Sequence, residues 1–117
     1  MKLEYRKAGF TLLELMMIVG LIGLLAAIGV PNFVRARMKS QANICMSNLR
    51  QIDNAAQTWA LENRRTSSDP YTLEEIMGYI KLESNGKLPA CPASGTYSPG
   101  SYVSNAPMCS VPGHFLP

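Results

Sequence analysis

The feature that most constrains this chain is an uninterrupted apolar run near its N-terminus. Residues 15–30 contain no charged or polar side chain, and the run begins at Phe10 with one carboxylate, Glu14, just inside it. As a helix, the roughly 21 residues from Phe10 reach about 31 Å, close to the thickness of a bilayer's hydrocarbon core. An acidic side chain at bilayer depth costs roughly 2.5–3.5 kcal/mol on insertion scales. We therefore expect a membrane-length helix whose glutamate has a partner.

A partner for Glu14 is available if the chain is cut just before the run. A short basic leader (Lys2, Arg6, Lys7) ends at Gly9. Cleavage after Gly9 would place a new α-amine on Phe10. That amine could neutralise Glu14, and we expect the pairing to be with the Glu14 of a neighbouring copy.

These residues resemble a known processing signal. The segment Gly9-Phe10-Thr11-Leu12-Leu13-Glu14, with the later Gly20, Gly23 and Pro31, is similar to the class III signal of type IV pilins and type II secretion pseudopilins. The resemblance is specific from Lys7 to about Val34 and is one of architecture beyond it, apart from residues 48–53 and 59–63.

The resemblance implies a role for four residues. Gly9 is the expected cleavage-site glycine for a membrane aspartyl prepilin peptidase, and Phe10 is the new N-terminus that this enzyme methylates. Glu14 is the expected assembly carboxylate, and Pro31 the proline that kinks the helix.

A secretory signal and a plain membrane anchor both fit the apolar run less well. A secretory signal has an apolar core of 7–15 residues, so this run is too long, and Glu14 would lie inside that core. A plain single-span anchor has the right length, but it leaves the Gly9–Phe10 junction and Glu14 unexplained.

The helical pattern continues beyond the apolar run. Proline removes a backbone hydrogen bond and clashes with the preceding turn, so we expect a kink or local melting around Gly29–Pro31. Apolar residues then recur in alternating steps of four and three, which predicts one amphipathic helix to about Asn63. The members of this stripe are Met38, Ala42, Cys45, Leu49, Ile52, Ala56 and Trp59.

The remaining residues predict a small head. A polar linker covers residues 64–70, and Thr72 and Glu75 have capping-box spacing, which predicts a short helix from Leu73 to Tyr79. Three short strands are expected at residues 95–97, 101–103 and 109–111, with a turn at residues 98–100.

The predicted fold class is α+β: a long N-terminal helix with a small antiparallel sheet in a pilin-like head. The expected divisions are a leader (1–9), a transmembrane or filament-core helix (10–34), the amphipathic half of that helix (35–63) and the globular head (64–117).

The three cysteines indicate whether the head lies in an oxidising or a reducing compartment. Cys91 and Cys109 bracket a segment rich in Pro, Gly, Ser and Asn, and a disulfide there would stabilise the head by about 3 kcal/mol. We expect this bridge, and with it an oxidising compartment outside the cytoplasm; two free thiols in a reducing environment are the alternative. Cys45 is expected to be a small core residue, or a cross-link between subunits.

No catalytic constellation is recognisable, so we expect no enzyme and no cofactor. His114, the only histidine, could join Cys91 and Cys109 in a zinc site, but the spacing fits no finger pattern and a fourth ligand is missing, so no metal is expected. Major pseudopilins often bind calcium through acidic residues in C-terminal loops, and this chain has no Asp or Glu after Glu83. Accessible basic residues, such as Arg64 and Arg65, are too few for phosphate-driven nucleic-acid binding.

The expected function is structural: a subunit of a type IV pilus-like or type II secretion pseudopilus filament. Its expected partners are other copies of the chain, the prepilin peptidase, the membrane and an inner-membrane assembly platform. The precursor is expected in the bacterial inner membrane, with its head in the periplasm or outside the cell. The alternative is a membrane-anchored extracytoplasmic binding protein that does not polymerise.

Overall fold

The computed structural model describes Lys2 and residues 9–117. The predicted leader therefore lies almost wholly outside the described residues. In chain order the elements are helix α1 (Leu12–Glu62), helix α2 (Leu73–Ile76), a 3-10 turn (Met77–Tyr79), strand β1 (Tyr97–Ser98) and strand β2 (Met108–Cys109). The predicted α+β class, with a long N-terminal helix and a small antiparallel sheet, is confirmed.

The chain forms two compact units, the first ending at Ala36 and the second comprising Arg37–Pro117. In the first unit, α1 is apolar on every face over residues 15–30, and its large side chains are exposed, including Leu12 (77 %) and Leu25 (71 %). Among the helices of the described residues, α1 alone is long enough and apolar enough to cross a membrane. Its most apolar window of 18 residues has a mean hydropathy of 2.4. A helix that is apolar all round needs lipid or other protein around it.

Helix α1 passes through Pro31 without a break in its helical residues. The local melting expected around Gly29–Pro31 is therefore absent from this structure. Proline still deletes one backbone hydrogen bond at this point, and the kink at Pro31 stays a prediction.

The second unit is built on the amphipathic part of α1. Five of the seven residues in the predicted stripe are buried: Cys45, Leu49, Ile52, Ala56 and Trp59. Ala42 is half-buried, and Met38 is 63 % exposed, so the stripe begins later than its periodicity indicated. The reason is that the two apolar clusters of the head begin, on the helix side, at Cys45.

The short helix after the linker follows the prediction closely. Thr72 accepts a hydrogen bond from the Glu75 backbone N–H, and the Glu75 carboxylate accepts one from the Thr72 N–H, which forms the capping box. Residues expected to complete one helix to Tyr79 instead form the 3-10 turn. Ile76 and Ile80 are buried with Trp59 in one apolar cluster.

The sheet is smaller than expected. Strands β1 and β2 pair antiparallel, with Tyr97 opposite Cys109 and Ser98 opposite Met108. The predicted strand at residues 101–103 was wrong: this segment forms bends and turns. Its backbone forms hydrogen bonds with the loop after α1 instead of with a strand. The Val103 N–H donates to the Asp69 carbonyl oxygen (3.0 Å), and the Ser104 N–H donates to the Ser67 carbonyl oxygen (2.9 Å).

Gly100, where the chain leaves β1, has no room for a side chain. A Cβ atom at this position would lie 2.1 Å from the carbonyl oxygen of Asn105. The Gly100 N–H also donates to the Tyr71 hydroxyl (3.1 Å), which fixes this turn against the apolar cluster.

We predict that Gly100→Ala destabilises the head by about 1–3 kcal/mol, because either the turn or Asn105 must shift. Urea unfolding of the full chain in detergent, followed by the fluorescence of the single Trp59, measures this change. Gly78→Ala is the matched control, because its Cβ would meet nothing within 4 Å. Equal unfolding midpoints for the two variants would contradict the steric account.

Candidate functional site

Two parts of the described chain bring chemistry-bearing residues together, and the first is the start of α1. Phe10 is 82 % exposed, and Glu14 lies exposed in the first turn of the helix. A carboxylate at a helix N-terminus gains about 0.3–1 kcal/mol from the helix dipole, up to about 2 in partly buried sites. This gain is smaller than the roughly 2.5–3.5 kcal/mol cost of an acidic group at bilayer depth, so a Glu14 placed at that depth would still require an opposite charge.

The structure adds Thr11 to this segment. The Thr11 hydroxyl accepts a hydrogen bond from the Glu14 N–H (3.2 Å), and the Thr11 carbonyl oxygen accepts one from the Leu15 N–H (3.1 Å). Thr11 thus caps α1 and fixes its first turn directly after the Gly9–Phe10 junction. The Thr-x-x-Glu spacing at residues 11–14 is the same signal that identified the Thr72 cap, and it could have revealed this one.

The second part is a cluster of three cysteines and a histidine in the head. Cys45 lies on α1, Cys91 in the loop before β1 and Cys109 at the end of β2, and His114 follows near the C-terminus. Their sulfur and ring-nitrogen atoms all lie within 4.8 Å of one another. The Cys91 Sγ atom and the His114 Nδ1 atom are 3.4 Å apart. Three of the four residues are buried, and Cys109 is half-buried.

The cluster is held in place by the residues around it. A Cβ atom on Gly95 would lie 2.7 Å from the Cys109 sulfur, so only glycine lets the chain pass here. On the helix, the buried Asn48 side chain donates to the Tyr97 hydroxyl (3.0 Å) and the Ala90 carbonyl oxygen (3.4 Å). These bonds tie α1 to both the loop before Cys91 and strand β1.

The surroundings shift the thiol pKa values in opposite directions. Burial raises the pKa of the Cys91 thiol, but backbone N–H groups of Ala93 and Gly95, together with the His114 and Cys45 side chains, stabilise its thiolate and bring the pKa down to about 6. Burial, with the neighbouring Cys109, raises the pKa of the Cys45 thiol to about 12. The Cys91 thiol therefore ionises more readily than the Cys45 thiol.

The cluster bears on two expectations from the sequence. The three cysteines are free thiols in this structure, and the disulfide between Cys91 and Cys109 stays a prediction. Cys45 is buried as expected, yet its sulfur belongs to the cluster and supplies the fourth donor atom that Cys91, Cys109 and His114 lacked. No local spacing links Cys45 to the other three residues, because packing of the loop onto α1 brings them together.

Comparison with known proteins bears on the first segment. Residues 5–30 match the model of the prokaryotic N-terminal methylation motif. The chain therefore carries a prepilin-type N-terminal methylation motif. The resemblance drawn from Gly9 to Glu14 is thereby confirmed.

Curated relatives extend the similarity into the head. The chain is 28 % identical to type II secretion system core protein G of Aeromonas hydrophila over 87 % of its own length and 66 % of the relative's. It is 40 % identical to the type IV major pilin protein PilA of Myxococcus xanthus over 53 % of its length and 28 % of the relative's. For a fimbrial protein of Pseudomonas aeruginosa, identity is 32 %, covering 68 % of this chain and 54 % of the relative.

The chain thus spans less than two thirds of the length of each of these relatives. No solved structure matches the chain. The relatives are pilins and pseudopilins, which are structural proteins.

We predict that Asn48→Ala destabilises the head by about 1–3 kcal/mol, because the Tyr97 hydroxyl loses its donor in a largely buried place. The same urea titration with Trp59 fluorescence measures the effect. Asn54→Ala, at an exposed position of the same helix, is the control and should change stability by less than about 0.5 kcal/mol. If the two variants unfold alike, Asn48 does not tie α1 to the loop.

Proposed function

We propose that this chain is the precursor of a filament subunit, cleaved after Gly9 and N-methylated on Phe10 by a prepilin peptidase. The observation that carries the proposal is Glu14, exposed in the first turn of an all-round apolar helix and inside the matched methylation motif. The similarity to protein G and to type IV pilins supports the same function.

The chemistry of assembly follows from the charges at this end of the helix. Cleavage gives Phe10 a free α-amine, which stays protonated after a single methylation. In the proposed filament, Glu14 of an incoming subunit pairs with the Phe10 amine of a subunit already assembled. Two isolated charges in lipid are thereby replaced by one neutral contact, which sets the register of the incoming subunit.

The exposed apolar side chains of α1 supply the rest of the contact. Once out of lipid, they bury one another in the filament core, at roughly 25 cal/mol per Å² of apolar surface removed from water. Extraction from the bilayer is not downhill, so an inner-membrane assembly platform driven by ATP is the expected partner. In this proposal the precursor lies in the inner membrane, with its head in the periplasm or outside the cell.

We predict that the intact mass of the membrane or filament protein corresponds to a chain beginning at Phe10 with one added methyl group. This result separates a processed subunit from a simple anchored binding protein, which would keep its leader. A mass that retains residues 1–9, in a host with an active prepilin peptidase, would contradict the proposal.

We predict that Glu14→Ala leaves membrane insertion and cleavage intact but abolishes filament assembly, because the Phe10 amine loses its partner. Shearing of cells, followed by immunoblotting of filament and membrane fractions, measures assembly and cleavage together. Glu83→Ala is the matched control: it removes an exposed carboxylate from the head and should assemble normally. Normal filaments from Glu14→Ala would exclude the pairing.

A further inference from the structure

We propose that Cys45, Cys91, Cys109 and His114 form a structural metal site that binds one Zn²⁺ ion. This inference concerns the head alone and does not depend on the proposed filament function.

The geometry fits a four-coordinate ion. Zinc bonds to sulfur at about 2.3 Å and to histidine nitrogen at about 2.0–2.1 Å, so a tetrahedral site holds its donor atoms roughly 3.5–3.8 Å apart. The four donor atoms here all lie within 4.8 Å of one another, and the distance between Cys91 Sγ and His114 Nδ1 is 3.4 Å. No two donor atoms are therefore more than about 1.3 Å farther apart than a tetrahedral ion would hold them.

The chemistry of the donor set selects the ion. Three thiolates and one imidazole are soft and borderline ligands, which favour zinc over magnesium or calcium. Four protein ligands fill a tetrahedral site completely, which is the arrangement of structural zinc sites rather than catalytic ones.

The cluster can be reached from solvent. His114 lines a surface groove of about 360 Å³ with Ala93 and Val111, so an ion has a path to the four donor atoms.

A metal here would join four segments of the head at one point. The ligands come from α1, the loop before β1, strand β2 and the C-terminal segment, while each strand has only two residues. Small heads of this kind often need a staple, and a structural zinc ion supplies folding free energy directly. The site also gives Cys45 and His114 a role that a disulfide between Cys91 and Cys109 would not.

Metal content and thiol state are measured on the same sample of full-length protein in detergent. Free thiols are blocked with an alkylating agent after denaturation in chelator, and zinc is measured by mass spectrometry of the native protein. The expected result is about one zinc ion per chain and three alkylated cysteines. In the zinc-free protein, Co²⁺ should give the visible absorption of a tetrahedral thiolate site.

Ligand variants test the assignment residue by residue. Cys109→Ser and His114→Gln should each weaken Co²⁺ binding at least tenfold. Phe115→Leu, an exposed neighbour of His114, is the matched control and should bind as the unchanged chain does. Because ligand variants can also fail to fold, removal of zinc from the unchanged chain is the second measurement. It should lower the urea midpoint reported by Trp59, and added Zn²⁺ should restore it.

Two outcomes would overturn the proposal. The first is a Cys91–Cys109 disulfide in protein whose thiols were blocked at the moment of cell lysis, shown by one alkylated cysteine rather than three. The second is a reduced chain that contains no zinc, binds no Co²⁺ and keeps the same urea midpoint with chelator as with added Zn²⁺.

Discussion

The rest of the structure depends on the packing of head residues onto one face of α1. Strands of two residues and a four-residue helix cannot form a core without it. Ile52, Ala56 and Trp59 supply the helix side of one apolar cluster, and Cys45 and Leu49 the helix side of a second. Polar side chains complete the attachment, as when Gln57 donates to the Val103 carbonyl oxygen at 2.9 Å. The head is thus a covering for a helix rather than an independent sheet.

Among the residues that the structure describes, the N-terminal part of α1, up to Ala36, lacks such a covering. Up to Ala36 its apolar side chains are exposed, and they have no covering residues within the described part of that unit. Burial in lipid or against other copies is the way such a surface becomes stable. Under the proposed function, a subunit held first in a membrane and later packed in a filament keeps this surface covered in both states. Glu14 is then the carboxylate whose partner is supplied by a neighbouring copy.

The features that the sequence predicted are those set by local chemistry. The capping box at Thr72 and Glu75, the end of α1 and most of its buried face follow from spacing within a few residues. The strand predicted at residues 101–103 was wrong for a non-local reason, because the backbone of residues 103 and 104 forms hydrogen bonds with the loop that follows α1. The cysteine cluster could not be predicted for the same reason. Cys45 has an ordinary position in an apolar stripe, and only the folded loop shows that three other donor atoms lie beside it.

Two chemistries compete for the thiols of the cluster, disulfide formation and metal binding. A disulfide between Cys91 and Cys109 removes two thiolates from the cluster, whereas a bound metal ion holds all three thiolates and protects them from oxidation. Cys45 distinguishes the disulfide from the metal site, because a disulfide would leave the Cys45 thiol buried beside the bridge without a function. His114 points the same way, since an imidazole 3.4 Å from a sulfur atom adds nothing to a disulfide but completes a tetrahedral site. Gly95 allows the close approach that either arrangement needs. The two residues that the disulfide leaves unused are therefore the strongest argument for the metal.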